Sequence, residues 1–150
     1  MTTRFLEGQS FHLEGNRVCD SCTLGGSAFM SGDSGIPSGM QWKAKALPDG
    51  YHHLTTVFQE PAGKVLEGNT FSPSSFLGGA AYMSDGVTST GAMWRAIPAG
   101  GGYYFLTTKL LESQDLVLEG NRVAPGSTLG GAAFMNNNKA SGTMWRFIPL

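Results

Sequence analysis

The sequence predicts an all-β fold with threefold internal symmetry, and three observations carry that prediction. The stretch LGGAAYM at 77–83 recurs as LGGSAFM at 24–30 and as LGGAAFM at 129–135. Each copy follows an LEGN (13–16, 66–69, 118–121) and precedes a glycine, two residues, a tryptophan and a cation (39–43, 91–95, 142–146), with Pro48, Pro98 and Pro149 beyond. These landmarks return about every fifty residues and span the whole chain, the mark of a repeat architecture. The third observation is composition. Glycine makes up 22 of 150 residues, beside nine phenylalanines, three tryptophans and four tyrosines. That is about twice the usual ~7% share of glycine, and it suits short strands joined by tight turns. Disordered chains lack such aromatics.

Glycine and proline interrupt every window long enough for a helix of ten or so residues. Short strand signals fill the space between. Unit one, about 1–50, places strands near 2–6, 11–13, 27–30 and 40–47. Unit two, about 51–101, places them near 51–59, 64–66, 80–83 and 92–97. Unit three, about 102–150, repeats them near 103–111, 116–118, 132–135 and 143–148. Short all-β units either close into a ring or stack as an open array. Three units without an atypical capping unit favour closure. Twelve short strands in a closed threefold arrangement make a β-trefoil, a short barrel with three hairpins over one end, and a single domain.

Within that fold Leu77 and its copies are expected in the core. The paired glycines would make a sharp turn or a close backbone approach. The small alanines leave room for bulky neighbours, and methionine fills irregular gaps. Trp42, Trp94 and Trp145 are expected as one large buried anchor per unit.

The net charge is −1 and 14% of residues are charged, against a usual ~25%. No basic stripe is present to grip a phosphate backbone, which argues against nucleic acid. No apolar run approaches the ~20 residues of a membrane span. The first residues lack the apolar core of a secretory signal, so the expected place is the cytoplasm, or release without a classical signal.

Each unit thus runs hydrophobe-Leu-acid, glycine-rich loop, aromatic strand, Gly-x-x-Trp. This order resembles the ricin-type β-trefoil lectins, whose units carry Cys-Leu-Asp near the start and Gln-x-Trp near the end. The chain departs from that pattern. Glutamate replaces the aspartate in every unit. Met40, Ala92 and Thr143 stand for the glutamine, and His12, Val65 and Val117 stand for the cysteine. The resemblance implies carbohydrate binding by one acid, one aromatic face and a loop amide per unit. Carried over by position, the acids and rings are Glu14 with Phe29, Glu67 with Tyr82, and Glu119 with Phe134. The loop polar residues are Asp33, then Ser84 and Asp85, then Asn136 and Asn137, with Asn16, Asn69 and Asn121 two residues beyond each acid. A carboxylate accepts from paired sugar hydroxyls, and asparagine both donates and accepts. Glycans or glycoconjugates are the implied partners.

A plainer arrangement competes for the same glutamates. Lys43, Arg95 and Arg146 recur in step with them and could pair with them. Tyr82 is the ring best suited to an exposed platform, whereas Phe29 and Phe134 suit a core.

The remaining candidate chemistry is sparse. Cys19 and Cys22 do not complete a four-ligand zinc site, and a redox CxxC expects a βαβ setting. Ser72, Ser75, Ala124 and Ser127 replace them in the other units. His52 and His53 align with Tyr104 and Phe105 and are expected in a strand. His12 aligns with two valines and is expected partly buried. No nucleophile, base and orienting acid recur together, so neither an enzyme nor a cofactor is expected. The alternatives to a lectin are a protein-binding trefoil such as a protease inhibitor, working through the irregular loops 32–38 and 85–90, and a structural module that binds nothing.

Overall fold

The computed structural model of the chain describes residues 1–15, 27–32, 35–68, 81–120 and 133–150. Among them are twelve strands and no α-helix: β1 (Thr2–Thr3), β2 (His12–Gly15), β3 (Ala28–Ser31), β4 (Trp42–Ala46), β5 (His52–Thr56), β6 (Val65–Gly68), β7 (Ala81–Ser84), β8 (Trp94–Gly100), β9 (Tyr103–Thr108), β10 (Val117–Gly120), β11 (Ala133–Asn136) and β12 (Trp145–Arg146). Each unit contributes four strands, as expected. One six-stranded sheet runs β1-β12-β9-β8-β5-β4, and three separate hairpins pair β2 with β3, β6 with β7 and β10 with β11. Every pairing is antiparallel, and the first strand meets the last through Thr2↔Arg146 and Thr3↔Trp145. The tight β8–β9 connection uses Gly100, Gly101 and Gly102, all at positive φ, where only glycine avoids a steric penalty.

The first strand of each unit is shorter than the sequence reading put it. Strands expected to reach residues 6, 59 and 111 end at Thr3, Thr56 and Thr108. The cause is a tight turn repeated three times. The amides of Leu6, Gln59 and Leu111 donate to the carbonyls of Thr3, Thr56 and Thr108 at 3.0–3.1 Å. The turn draws Leu6, Gln59 and Leu111 inward, and all three are buried. The fourth strands expected to start at 92 and 143 start later, because Thr90–Ala92 and Ser141–Thr143 are 3-10 turns.

The core is the repeat seen from inside. Leu13, Leu66 and Leu118 are buried beside Ala28, Ala81 and Ala133 and beside Met30, Met83 and Met135. Each indole N–H donates to the carbonyl of its unit's LEGN leucine: Trp42 to Leu13 at 2.8 Å, Trp94 to Leu66 at 2.7 Å, Trp145 to Leu118 at 2.8 Å. The LEGN glycines are required by that contact. A Cβ on Gly15, Gly68 or Gly120 would lie 2.6–2.7 Å from the indole Cη2 and 2.8 Å from Met83, Met135 or Met30. Those methionines belong to the following unit, so each glycine seats a junction, and the third junction returns to unit one. The hydroxyls of Thr3, Thr56 and Thr108 donate to the carbonyls of Gly120, Gly15 and Gly68 at 2.9–3.1 Å and tie the same junctions. Trp94 and Trp145 are fully enclosed, as expected, whereas Trp42 is only half-buried.

The cations do not pair with the LEGN glutamates. Lys43 pairs with Glu60, Arg95 with Glu112 at 3.2 Å, and Arg146 with Glu7. Glu7, Glu60 and Glu112 are a second glutamate set in step with the repeat, each donated by the next unit. The Arg95 guanidinium lies 4.2 Å over the Tyr51 ring and that of Arg146 4.3 Å over Tyr103. The two tyrosine hydroxyls donate to Glu112 and Glu7. Such part-exposed pairs contribute little singly, ~0–1 kcal/mol.

Candidate functional site

Strand alternation builds the candidate site. In each hairpin the leucine and glycine of LEGN face the core with the alanine and methionine across from them. The glutamate between them therefore projects from the opposite face of the hairpin. Register places Glu14 opposite Phe29, Glu67 opposite Tyr82 and Glu119 opposite Phe134. Directly opposed residues have Cβ atoms about 4.5–5.5 Å apart, so each acid lies beside its ring. The structure thus joins all three acid–aromatic pairs named from the sequence. The three rings are alike and half-buried, so Phe29 and Phe134 are not core residues set apart from Tyr82.

The glutamates are far less exposed than surface acids, at 5%, 7% and 8% for Glu14, Glu67 and Glu119. The chain before Trp94 and Trp145 folds over Glu67 and Glu119. Around Glu67, a Cβ on Gly91 would lie 3.2 Å from Oε1 and one on Gly86 only 2.8 Å from Oε2. Around Glu119, a Cβ on Gly142 would lie 3.2 Å from Oε1. The carboxylates are held by hydrogen bonds, as buried charge requires. The Ser89 hydroxyl donates to Glu67 Oε1 at 2.9 Å, and the Asn136 amide donates to Glu119 Oε2. The acid repeats, whereas Ser89 and Asn136 themselves do not. Ser89 aligns with Ala140, and Asn136 with Ser84 and Ser31. A reading that follows repeats therefore finds the acids and passes over Ser89.

The other expected polar residues divide. Asn136 joins its acid, whereas the exposed Asp85 carboxylate accepts from Lys64 at 2.9 Å and is committed to that pair. The Ser84 hydroxyl accepts from the Gly86 amide at 2.9 Å and holds the turn. Asn137 is exposed at the same turn in unit three. Asn16, Asp33, Asn69 and Asn121 lie outside the described residues, as do Cys19 and Cys22. His52 and His53 stand in β5 and His12 opens β2, in agreement with their alignment. Among the described residues no group of histidines, cysteines and acids is arranged to hold a metal ion, and no helix is long and apolar enough to cross a membrane.

Each unit sets an outward acid beside a ring, and in units two and three a glycine lies over the acid. The fold is a β-trefoil. Over 99% of this chain it superposes on the designed threefold-symmetric protein ThreeFoil, with a TM-score of 0.70 at 19% identity, covering 96% of that chain. It is also similar to part of a GlcNAcα1-4Gal-releasing endo-β-galactosidase from Clostridium perfringens, with a TM-score of 0.65 at 15% identity, covering 99% of this chain and 31% of the enzyme. SeviL, solved bound to the asialo-GM1 saccharide, superposes with a TM-score of 0.62 at 15% identity, covering 93% of this chain and 89% of its own. No protein-family model and no curated protein sequence matches the chain. At these identities the likeness concerns the fold.

Proposed function

We propose that this protein is a carbohydrate-binding module with up to three related shallow sites, centred on Glu14, Glu67 and Glu119. The observation that carries the proposal is the register that sets each glutamate directly across from Phe29, Tyr82 or Phe134 on the hairpin's outward face. All three repeats preserve that combination. The half-buried ring offers an apolar surface to a pyranose, and the carboxylate edge accepts hydroxyl protons. The solved complex of SeviL with a saccharide supports the reading, as one trefoil of similar shape that holds a sugar. The role is binding rather than catalysis. Weak sites fixed in one rigid body gain by avidity on a multivalent surface.

The test is a glycan-array screen of the purified protein, followed by titration of wild type and the triple Glu→Gln variant with the best hit. Loss of affinity in a variant that still folds and melts in one cooperative transition is the expected result. No array hit, or equal affinity in both proteins, removes the proposal. One observation favours a protein partner as second reading: the irregular loops 32–38 and 85–90 each carry an exposed aliphatic side chain, Ile36 and Val87. Inhibition of a protease from a standard panel, lost on Ile36→Asp or Val87→Asp, would establish it instead.

A further inference from the structure

Three large apolar side chains stand exposed at one repeating place. Phe5, Phe58 and Leu110 are 48%, 53% and 41% accessible. Each follows the threonine strand by two residues and precedes one of the buried residues Leu6, Gln59 and Leu111. A single exposed apolar side chain is ordinary. The same position left apolar and open in every unit, in a chain that buries the residue beside it each time, calls for a partner.

Backbone hydrogen bonds place these residues. The Phe5 amide donates to Ser141 O at 3.1 Å, Phe58 to Ser38 O at 3.2 Å, and Leu110 to Thr90 O at 3.2 Å. The next residues along the chain are Gly142, Gly39 and Gly91. Gly142 and Gly91 are the lids whose added Cβ would approach Glu119 and Glu67 to 3.2 Å. The amide of each exposed residue is therefore one hydrogen bond and one residue from a glycine of the neighbouring site: Gly142 and Gly91 lie against Glu119 and Glu67, and the Gly39 carbonyl accepts from the amide of Gly15, next to Glu14, at 2.9 Å. Each exposed residue comes from the unit that follows.

We propose that Phe5, Phe58 and Leu110 form the outer apolar wall of the carbohydrate sites, supplied across the unit junctions. Phe58 serves the site of Glu14 and Phe29, Leu110 that of Glu67 and Tyr82, and Phe5 that of Glu119 and Phe134. This rests on the carbohydrate reading above and adds to it a division of labour. The ring within the unit is half-buried in its hairpin, whereas the residue from the next unit presents an open face. A pyranose has a flat C–H face ringed by hydroxyls, so a phenyl group covers it more fully than a leucine. The Phe58 and Phe5 sites are therefore the stronger pair, and the Leu110 site is the weakest. Ligands with one unbroken C–H face, as in a galactopyranose whose axial 4-hydroxyl leaves the opposite face clear, gain most from such a wall.

The experiment uses the full chain with 4-fluorophenylalanine in place of phenylalanine, followed by fluorine NMR. Methyl glycosides of galactose, glucose, mannose and N-acetylglucosamine are titrated in turn. Phe5→Leu and Phe58→Leu assign the two signals and keep apolar bulk at both places. The expected result is saturable movement of both signals. Phe5→Ala and Phe58→Ala should weaken their sites by about threefold to tenfold, the size of one aromatic contact. Leu110→Phe should tighten the middle site by a similar factor, with melting curves unchanged in all three variants. A glycoside that binds and moves other phenylalanine signals, while Phe5 and Phe58 stay still and the alanine variants bind like wild type, overturns the wall and leaves the carbohydrate reading standing. Saturable binding by none of the four overturns both.

Discussion

Replacing Gly68 by alanine tests the junction packing most directly. The glycine lies in a strand, and its backbone is open to any residue, so no strained φ confuses the result. In such a place alanine restricts the unfolded chain and by itself stabilises by about 0.4–1 kcal/mol. Against that, the new Cβ would meet Trp94 Cη2 at 2.7 Å and Met135 Sδ at 2.8 Å. The indole cannot retreat without breaking its 2.7 Å hydrogen bond to Leu66 O. Overpacking of a fixed core costs about 1–3 kcal/mol, so sterics win and the net loss should be about 1–2 kcal/mol. In a chain of this length that is a fall of roughly 2–8 °C in Tm, read from thermal or urea unfolding. The thioether is the part able to yield. Met135→Ala alone should cost about 2–5 kcal/mol, and the double variant should cost about 0.5–3 kcal/mol less than the sum of the two singles. Gly68→Ala at or above wild-type stability, or strict additivity in the double variant, would refute the argument.

Four further outcomes are expected. Trp94→Ala should lose about 3–5 kcal/mol by urea unfolding, and the half-buried Trp42→Ala distinctly less. Arg146→Met should change stability by no more than ~1 kcal/mol, so a larger loss would show that ring closure leans on the Glu7 pair. Burial holds His53 and His12 below their ordinary pKa, so the unfolded chain takes up protons more readily than the folded one. Their contribution should be complete above about pH 6.5 and should fall as pH drops from there toward the folded-state values; urea midpoints across that window should flatten in His53→Gln. Glu67→Gln should weaken sugar binding in unit two about tenfold or more, since a charge-assisted hydrogen bond contributes roughly 1.5–3 kcal/mol, checked by titration with the best array ligand.

The repeat made the fold legible, because three copies of one strand order leave few ways to close. The acid–aromatic pairs are implied by the family resemblance carried over by position, and hairpin pairing turns those spaced residues into neighbours. The same repeat misled over the cations. Two glutamate sets recur in step with Lys43, Arg95 and Arg146, and spacing cannot tell them apart. Glu7, Glu60 and Glu112 won because a tight turn ends the strand just before them and delivers them to the barrel wall. The LEGN set lies on the outward hairpin face, roofed at Glu67 and Glu119 by glycine-bearing chain. Asn136 stands among the loop polar residues named from the sequence, whereas Ser89 escaped notice for the opposite reason: Ala140 and Pro37 hold its place in the other units, so its hydrogen bond to Glu67 leaves no periodic trace.

The pairing of β1 with β12 bears on the order in which the molecule assembles. Two of the three junctions join neighbouring stretches of chain, such as Gly15 with Thr56 and Gly68 with Thr108. The third needs Glu7 to find Arg146, 139 residues away, and Thr3 to find Gly120, 117 residues away. Bringing such distant segments together costs closure entropy before any contact repays it, and non-local β pairing of this kind is slow. Units one to three can therefore gather along the chain while the last junction waits for its two ends. That junction is the step that turns a row of hairpins into a ring, and the place where hydrogen exchange should first report the ring reopening.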